Sequence, residues 1–145
     1  MQLTEHFSLE EMTFSSTAVR KSIDNTPSSD VVDHLKVTAA GLEKVRALLG
    51  GPLHIDSGYR SPALNQAVGG VPNSAHLTGY AADFICPAFG IPLEIVKTIQ
   101  ADGSIDFDQL IQEGTWVHIS FDPQMRSEVL TAHFAGGTAT FTAGV

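Results

Sequence analysis

The stretch Phe107-Asp108-Gln109-Leu110-Ile111-Gln112-Glu113-Gly114-Thr115-Trp116-Val117-His118-Ile119-Ser120-Phe121 decides the fold class. Two strand-like runs, Phe107–Gln112 and Trp116–Phe121, flank Gly114-Thr115, a pattern that reads as a hairpin closed by a two-residue turn. In that register Glu113 pairs with Trp116 and Ile111 pairs with His118. Alternation then puts Trp116, His118 and Ser120 on one face and Val117 and Ile119 on the other. Two more short runs follow, Val129–Phe134 and Thr138–Thr142, set off by Asp-Pro and Gly-Gly, so the last third of the chain reads as a β meander.

Upstream the pattern is helical. Val31, Leu35, Leu42, Val45 and Leu49 fall on a narrow arc at about 100° per residue, between Pro27 and Gly50-Gly51, and predict a main helix over Ser28–Leu49. Ser8 and Glu11 form a capping-box pair that opens a short helix through Met12 and Phe14. Leu53–Ser57 alternates as a half-buried strand, a short helix is centred on Ala63–Val68, Gly69–Ser74 is a loop, and Ala81–Cys86 is a second strand. Ile91, Ile95 and Ile99, with Pro92 at a first helical position, mark another helix. Helices first and antiparallel strands afterwards predict an α+β fold, with helices packed on one face of a mainly antiparallel sheet.

Length and composition bound the function. The 145 residues, 43% hydrophobic, suffice for one core and predict a single domain over 1–145. Eight basic against sixteen acidic residues gives 8 − 16 = −8, which argues against nucleic acid or an anionic membrane surface as partner. No window approaches the roughly 20 apolar residues of a membrane span, and MQLTEHFSLEEM has neither a basic nor an apolar signal region. A lone Cys86 permits no internal disulfide and no thiol-based zinc site, so a metal would need His and carboxylates.

The segment Ser74-Ala75-His76-Leu77-Thr78-Gly79-Tyr80-Ala81-Ala82-Asp83 provides such a pair. A loop His is followed by a Gly turn and small residues leading into a strand near Asp83, an arrangement that can put an imidazole and a carboxylate on one ion with coordination left open. His118, facing away from the aliphatic layer of its strand, is the candidate third ligand. His6, His34, His54 and His133 have no partners at ligand spacing.

Ser74-x-His76-x-x-Gly79-x-Ala81-x-Asp83 with the distant Trp116-Val117-His118 resembles the zinc D-Ala-D-Ala carboxypeptidase family of peptidoglycan peptidases, in particular its small phage-encoded members. The resemblance extends to Leu3–Phe7, Ser57–Pro62, Phe107–Ile111 and Arg126–Ala132. It implies a Hedgehog/DD-peptidase-like fold, zinc held by His76, Asp83 and His118, and a peptidoglycan stem peptide containing D-amino acids as substrate. It also implies that Arg60 points into the cleft, toward substrate or the developing oxyanion; a guanidinium capping the Ser57–Pro62 turn is the plainer reading. Ser74 is cast either as a substrate contact or as the cap of the ligand loop. Gln109 and Trp116, on the metal face, are cast as substrate-binding.

One position departs from the family pattern. The acidic general base expected three residues before the last His ligand is replaced by Thr115, which cannot take a proton from a zinc-bound water at neutral pH. In the hairpin register Glu113 lies diagonal to His118, roughly 5–8 Å away, and is the candidate base; Asp108, on the other face, ranks second. Thr115 also motivates a rival reading: a catalytically weak or inactive virion, tail or wall-binding protein. With no signal sequence in view, the expectation is a cytoplasmically made, phage-encoded protein reaching the wall by lysis or within a virion.

Overall fold

The computed structural model describes residues 1–145, apart from the side chain of residue 138. Two short helices, α1 (Leu9–Thr13) and α2 (Ser16–Arg20), precede the main helix α3 (Ser29–Leu49). Both halves of the Ser8–Glu11 capping box form at α1, and α3 runs from an N-cap at Ser28 to a left-handed Gly50. Next come β1 (His54–Ser57), α4 (Pro62–Ala67), a 3-10 turn over Ala75–Thr78, β2 (Ala81–Ile85) and α5 (Pro92–Asp102). The strands β3 (Gln109–Gln112), β4 (Val117–Ser120), β5 (Glu128–Ala135) and β6 (Thr138–Ala143) complete the chain. No helix among the described residues is long and apolar enough to cross a membrane.

The six strands form one sheet in the order β1-β2-β4-β3-β5-β6. Its two faces have opposite characters, set by the pairing Ala82↔Ile119, Phe84↔Val117 and Leu110↔Ile119. These residues are fully buried in one cluster with Leu35, Ala39, Leu42 and Val45 of α3 and Ile95, Val96 and Ile99 of α5. Burying each large aliphatic side chain contributes about 1.5–3 kcal/mol, so this face carries the stability of the fold. The opposite face presents Asp83, His118, Ile111 and, across β5, Leu130.

The sheet is mixed, which corrects the expectation of a mainly antiparallel meander. The β3–β4 hairpin forms as read, with Ile111↔His118 and the Glu113 amide bonded to the Trp116 carbonyl at 3.0 Å. Asp122-Pro123, however, does not reverse the chain into a strand beside β4. It starts a crossover past the end of β3, and β5 pairs parallel to β3, Ile111 lying opposite Leu130.

The physical reason is Asp108. Its buried carboxylate accepts from the Arg126 backbone N–H at 3.0 Å, from Nε at 2.8 Å and from a terminal guanidinium nitrogen at 2.9 Å. The Ser127 and Glu128 amides then bond to the carbonyls of Phe107 and Asp108. A tertiary clasp, rather than a local turn signal, places β5.

The Arg126 hydrogen bonds hold the Asp108 carboxyl below the usual carboxylate range, against the opposing effect of burial. A carboxyl so lowered stabilises the fold above its ordinary value of 3.8, and the contribution is lost as pH falls through the lowered value. Asp108→Asn is expected to cost about 1–3 kcal/mol in urea unfolding at neutral pH. The difference from the parent should shrink as pH is taken below 3.8; a pH-independent gap would contradict this role.

Candidate metal centre

The site begins with the loop that carries His76. The Ser74 hydroxyl caps it by accepting from the His76 N–H at 3.2 Å, and the 3-10 turn ends at Gly79 with φ of 85°. A side chain there would be strained twice, since an added Cβ would also lie 3.0 Å from the Val31 carbonyl of α3. The loop is tied to α3 by Thr38, whose hydroxyl donates to the Gly79 carbonyl at 2.7 Å, and by His34, stacked on Tyr80 and bonded to the Thr78 carbonyl. The main helix therefore sets both the core and the height of His76 above the sheet.

From Gly79 the chain enters β2, where Asp83 faces away from the helices and lies directly opposite His118 on β4. Asp83 Oδ1 is 2.9 Å from His118 Nδ1 and 3.2 Å from His76 Nε2, and the two rings stand 5.1 Å apart at 67°. All three residues are buried, and one potential ligand atom from each lies within 4.8 Å of the others. Burial by itself would raise the Asp83 carboxyl, but the charges and hydrogen bonds of His76 and His118 outweigh it and hold the group well below the carboxylate range. Burial likewise works to lower His118, and the bond to Asp83 reverses that and raises it.

The donor chemistry fits a cation. His76 Nδ1 is 2.6 Å from the Gly58 carbonyl, which can only accept, so Nδ1 carries the proton. In the neutral ring that a metal ion binds, Nε2 then turns its lone pair toward the Asp83 carboxylate, 3.2 Å away. Two acceptors facing each other, with the ring fixed from behind by a backbone carbonyl, is the arrangement that metal-ligating histidines show. Two imidazoles and one carboxylate form a donor set suited to zinc with a coordination position left open.

Arg60 stands behind Asp83. Its guanidinium donates to Asp83 Oδ2 at 3.4 Å, to Ser57 Oγ at 3.1 Å and to Asn65 Oδ1 at 3.3 Å. Arg60 thus bonds within its own turn and also lines the cleft.

That cleft has a volume of about 720 Å³ and is lined by the three candidate ligands together with Arg60, Ser74, Gln109 and Glu113. Glu113 is half-buried, and its carboxyl is raised, first by burial and then by the Asp83 charge. Thr115 is exposed at the hairpin turn. Gln109 lines the cleft, although its amide already donates to Glu128 at 2.6 Å. Asp108, the second candidate for a base, also borders the cleft, but both its oxygens are clasped by Arg126, and it is corrected to a structural role. Trp116 is not among the residues that line the cleft, and its ring lies 6.1 Å from that of Phe134.

Sequence reasoning missed the carbonyl of Gly58 and the side chain of Asn65. The only signal for Gly58 is a glycine immediately after a strand, and its cause is tertiary: an added Cβ would collide with the Met12 carbonyl of α1, while the Tyr59 amide donates to that same carbonyl at 2.8 Å.

A model of the family described as Peptidase M15 matches residues 5–120, a range that holds Arg60, His76, Asp83, Glu113 and His118 and ends before β5. No curated protein matches the chain.

Gly58→Ala is expected to destabilise the protein by about 1–3 kcal/mol in denaturant unfolding, because α1 or β1 must shift. The shift moves the carbonyl that orients His76, so the variant should also lose most of the rise in melting temperature that a divalent metal gives the parent. A variant with the stability and metal response of the parent would contradict the geometry.

Proposed function

We propose, given that the chain belongs to the Peptidase M15 family, that it is a zinc-dependent peptidase acting on peptidoglycan stem peptides containing D-amino acids. The observation that carries this reading is the convergence of His76, Asp83 and His118 at the base of one cleft, with Glu113 in its lining. Zinc bound by these three side chains would supply a Lewis acid that polarises the scissile carbonyl and acidifies water.

The chain's own residues supply the rest. Glu113 takes the proton of the attacking water and gives it to the leaving amine. Its position two residues upstream of the missing acid at Thr115 makes it the replacement base. Burial in the cleft wall raises its carboxyl, the direction that strengthens a carboxylate as a base. Arg60 fixes Asp83 from behind and adds positive charge beside the carbonyl oxygen, where negative charge develops. Ser74 holds the His76 loop and borders the substrate. The biological setting we infer is cell-wall degradation by a phage-encoded, endolysin-like protein, supported by the resemblance of Leu3–Phe7, Ser57–Pro62 and Arg126–Ala132 to small phage members of the family.

Elemental analysis is expected to find about one zinc per chain in the parent and almost none in His76→Ala. With a purified muropeptide and mass spectrometry of the products, Glu113→Gln is expected to lower kcat by roughly 10²–10⁴ while leaving zinc content unchanged. Parent-like turnover in Glu113→Gln would remove this residue from the mechanism. A metal-free, inert parent would instead favour a structural wall-binding protein.

A further inference from the structure

The cleft has two walls of different origin. Arg60, Ser74, His76, Asp83, Glu113 and His118 all fall within the residues matched by the family, 5–120. The far wall follows that range and consists of Asp122, Gln124, Arg126, Leu130 and Phe141. It is an in-plane continuation of the metal face: His118 pairs with Ile111, Ile111 with Leu130, and two residues along β5 Ala132 pairs with Phe141. Phe141 is 48% exposed, so with Leu130 this wall offers bare apolar surface to whatever enters the cleft.

Charge is scarce on the positive side. The cleft has two guanidinium groups, and each is already held against a carboxylate. All three nitrogens of Arg60 have partners in Ser57, Asn65 and Asp83, and Arg126 is bound through two nitrogens by Asp108. Facing them are Asp83, Asp108, Glu113 and Asp122, so these lining groups sum to 2 − 4 = −2, which a divalent ion would only bring to neutrality. Lys97 lies on the exposed side of α5 and is not part of the lining. A peptide's terminal carboxylate buried here would lose its hydration and have to compete with Asp83 and Asp108 for guanidinium groups that already face them, a costly transfer. An internal peptide segment carries no such charge, and a cleft of about 720 Å³ takes a ligand of several residues.

We propose that the cleft binds an internal segment of a stem peptide, so that the protein is an endopeptidase, and that Leu130 and Phe141 form an apolar subsite for substrate residues remote from the bond cut. The inference rests on the peptidase activity proposed above. Water supplies the hydroxyl of a new C–O bond, the C–N bond breaks, and the departing amine takes the proton carried by Glu113. Two fragments leave, each longer than a single residue.

The test uses the zinc-loaded parent and three substrates: a linear stem pentapeptide, the same peptide as its C-terminal carboxamide, and a cross-linked muropeptide dimer. Mass spectrometry identifies products, and calorimetry with Glu113→Gln measures binding of the same three. Cleavage at an internal bond, with amidation changing the rate by less than about threefold, is the expected result. Phe141→Ala should then raise KM roughly tenfold while kcat holds. Release of the single C-terminal residue, lost roughly 100-fold or more on amidation, would overturn this inference and leave the peptidase reading standing. Failure to cut or bind any of the three would overturn the peptidase reading, and the endopeptidase inference with it.

Discussion

One carboxylate oxygen, Asp83 Oδ1, lies between two buried imidazoles, and much of the chain serves to keep it there. An isolated carboxylate in that position would be expelled or protonated, since burial opposes its charge. His118 reaches it because β2 and β4 pair with Asp83 opposite His118. His76 reaches it because a loop clamped to α3 by Thr38 and His34 sets the approach. The Gly58 carbonyl fixes the tautomer of His76, and Arg60 takes up the second oxygen of Asp83. The donor set and much of the charge of the cleft follow from this one grouping.

The sheet makes the grouping affordable by dividing its labour between faces. Ala82, Phe84, Leu110, Val117 and Ile119 are sealed beneath α3 and α5, so a strand that carries a ligand on one side is anchored by aliphatic packing on the other. A one-residue slip of β4 would bury His118 in the apolar core and turn Val117 or Ile119 toward the cleft, and so the hydrophobic face enforces the register of the polar one. The crossover clasped by Asp108 and Arg126 then carries the chain back to the same face and adds the Leu130 and Phe141 wall.

Much of this was legible in the residues. The apolar arc of Leu35, Leu42, Val45 and Leu49 between Ser28 and Gly50 specifies α3, and Gly114-Thr115 specifies the hairpin register that brings Ile111 opposite His118. The grouping of His76, Asp83 and His118 was readable because small residues and a glycine surround the first two, and strand alternation orients the third. What escaped depends on contacts between segments remote in sequence. Asp122-Pro123 carries the composition of a turn, and only the clasp from Asp108 makes it a crossover with a parallel neighbour. Strand alternation placed Trp116 on the metal face but could not show that its ring packs beside Phe134. Arg60 was visible as a candidate, whereas its commitment to Ser57, Asn65 and Asp83 was not.

The central claim is that these three side chains hold one zinc ion at the base of the cleft. X-ray absorption at the zinc edge on the purified, zinc-reconstituted protein tests it most directly. The account predicts a shell of two imidazole nitrogens at about 2.0–2.1 Å and light oxygen ligands, reduced by one imidazole in His118→Ala. A spectrum without imidazole scattering, or one unchanged by that substitution, would contradict it.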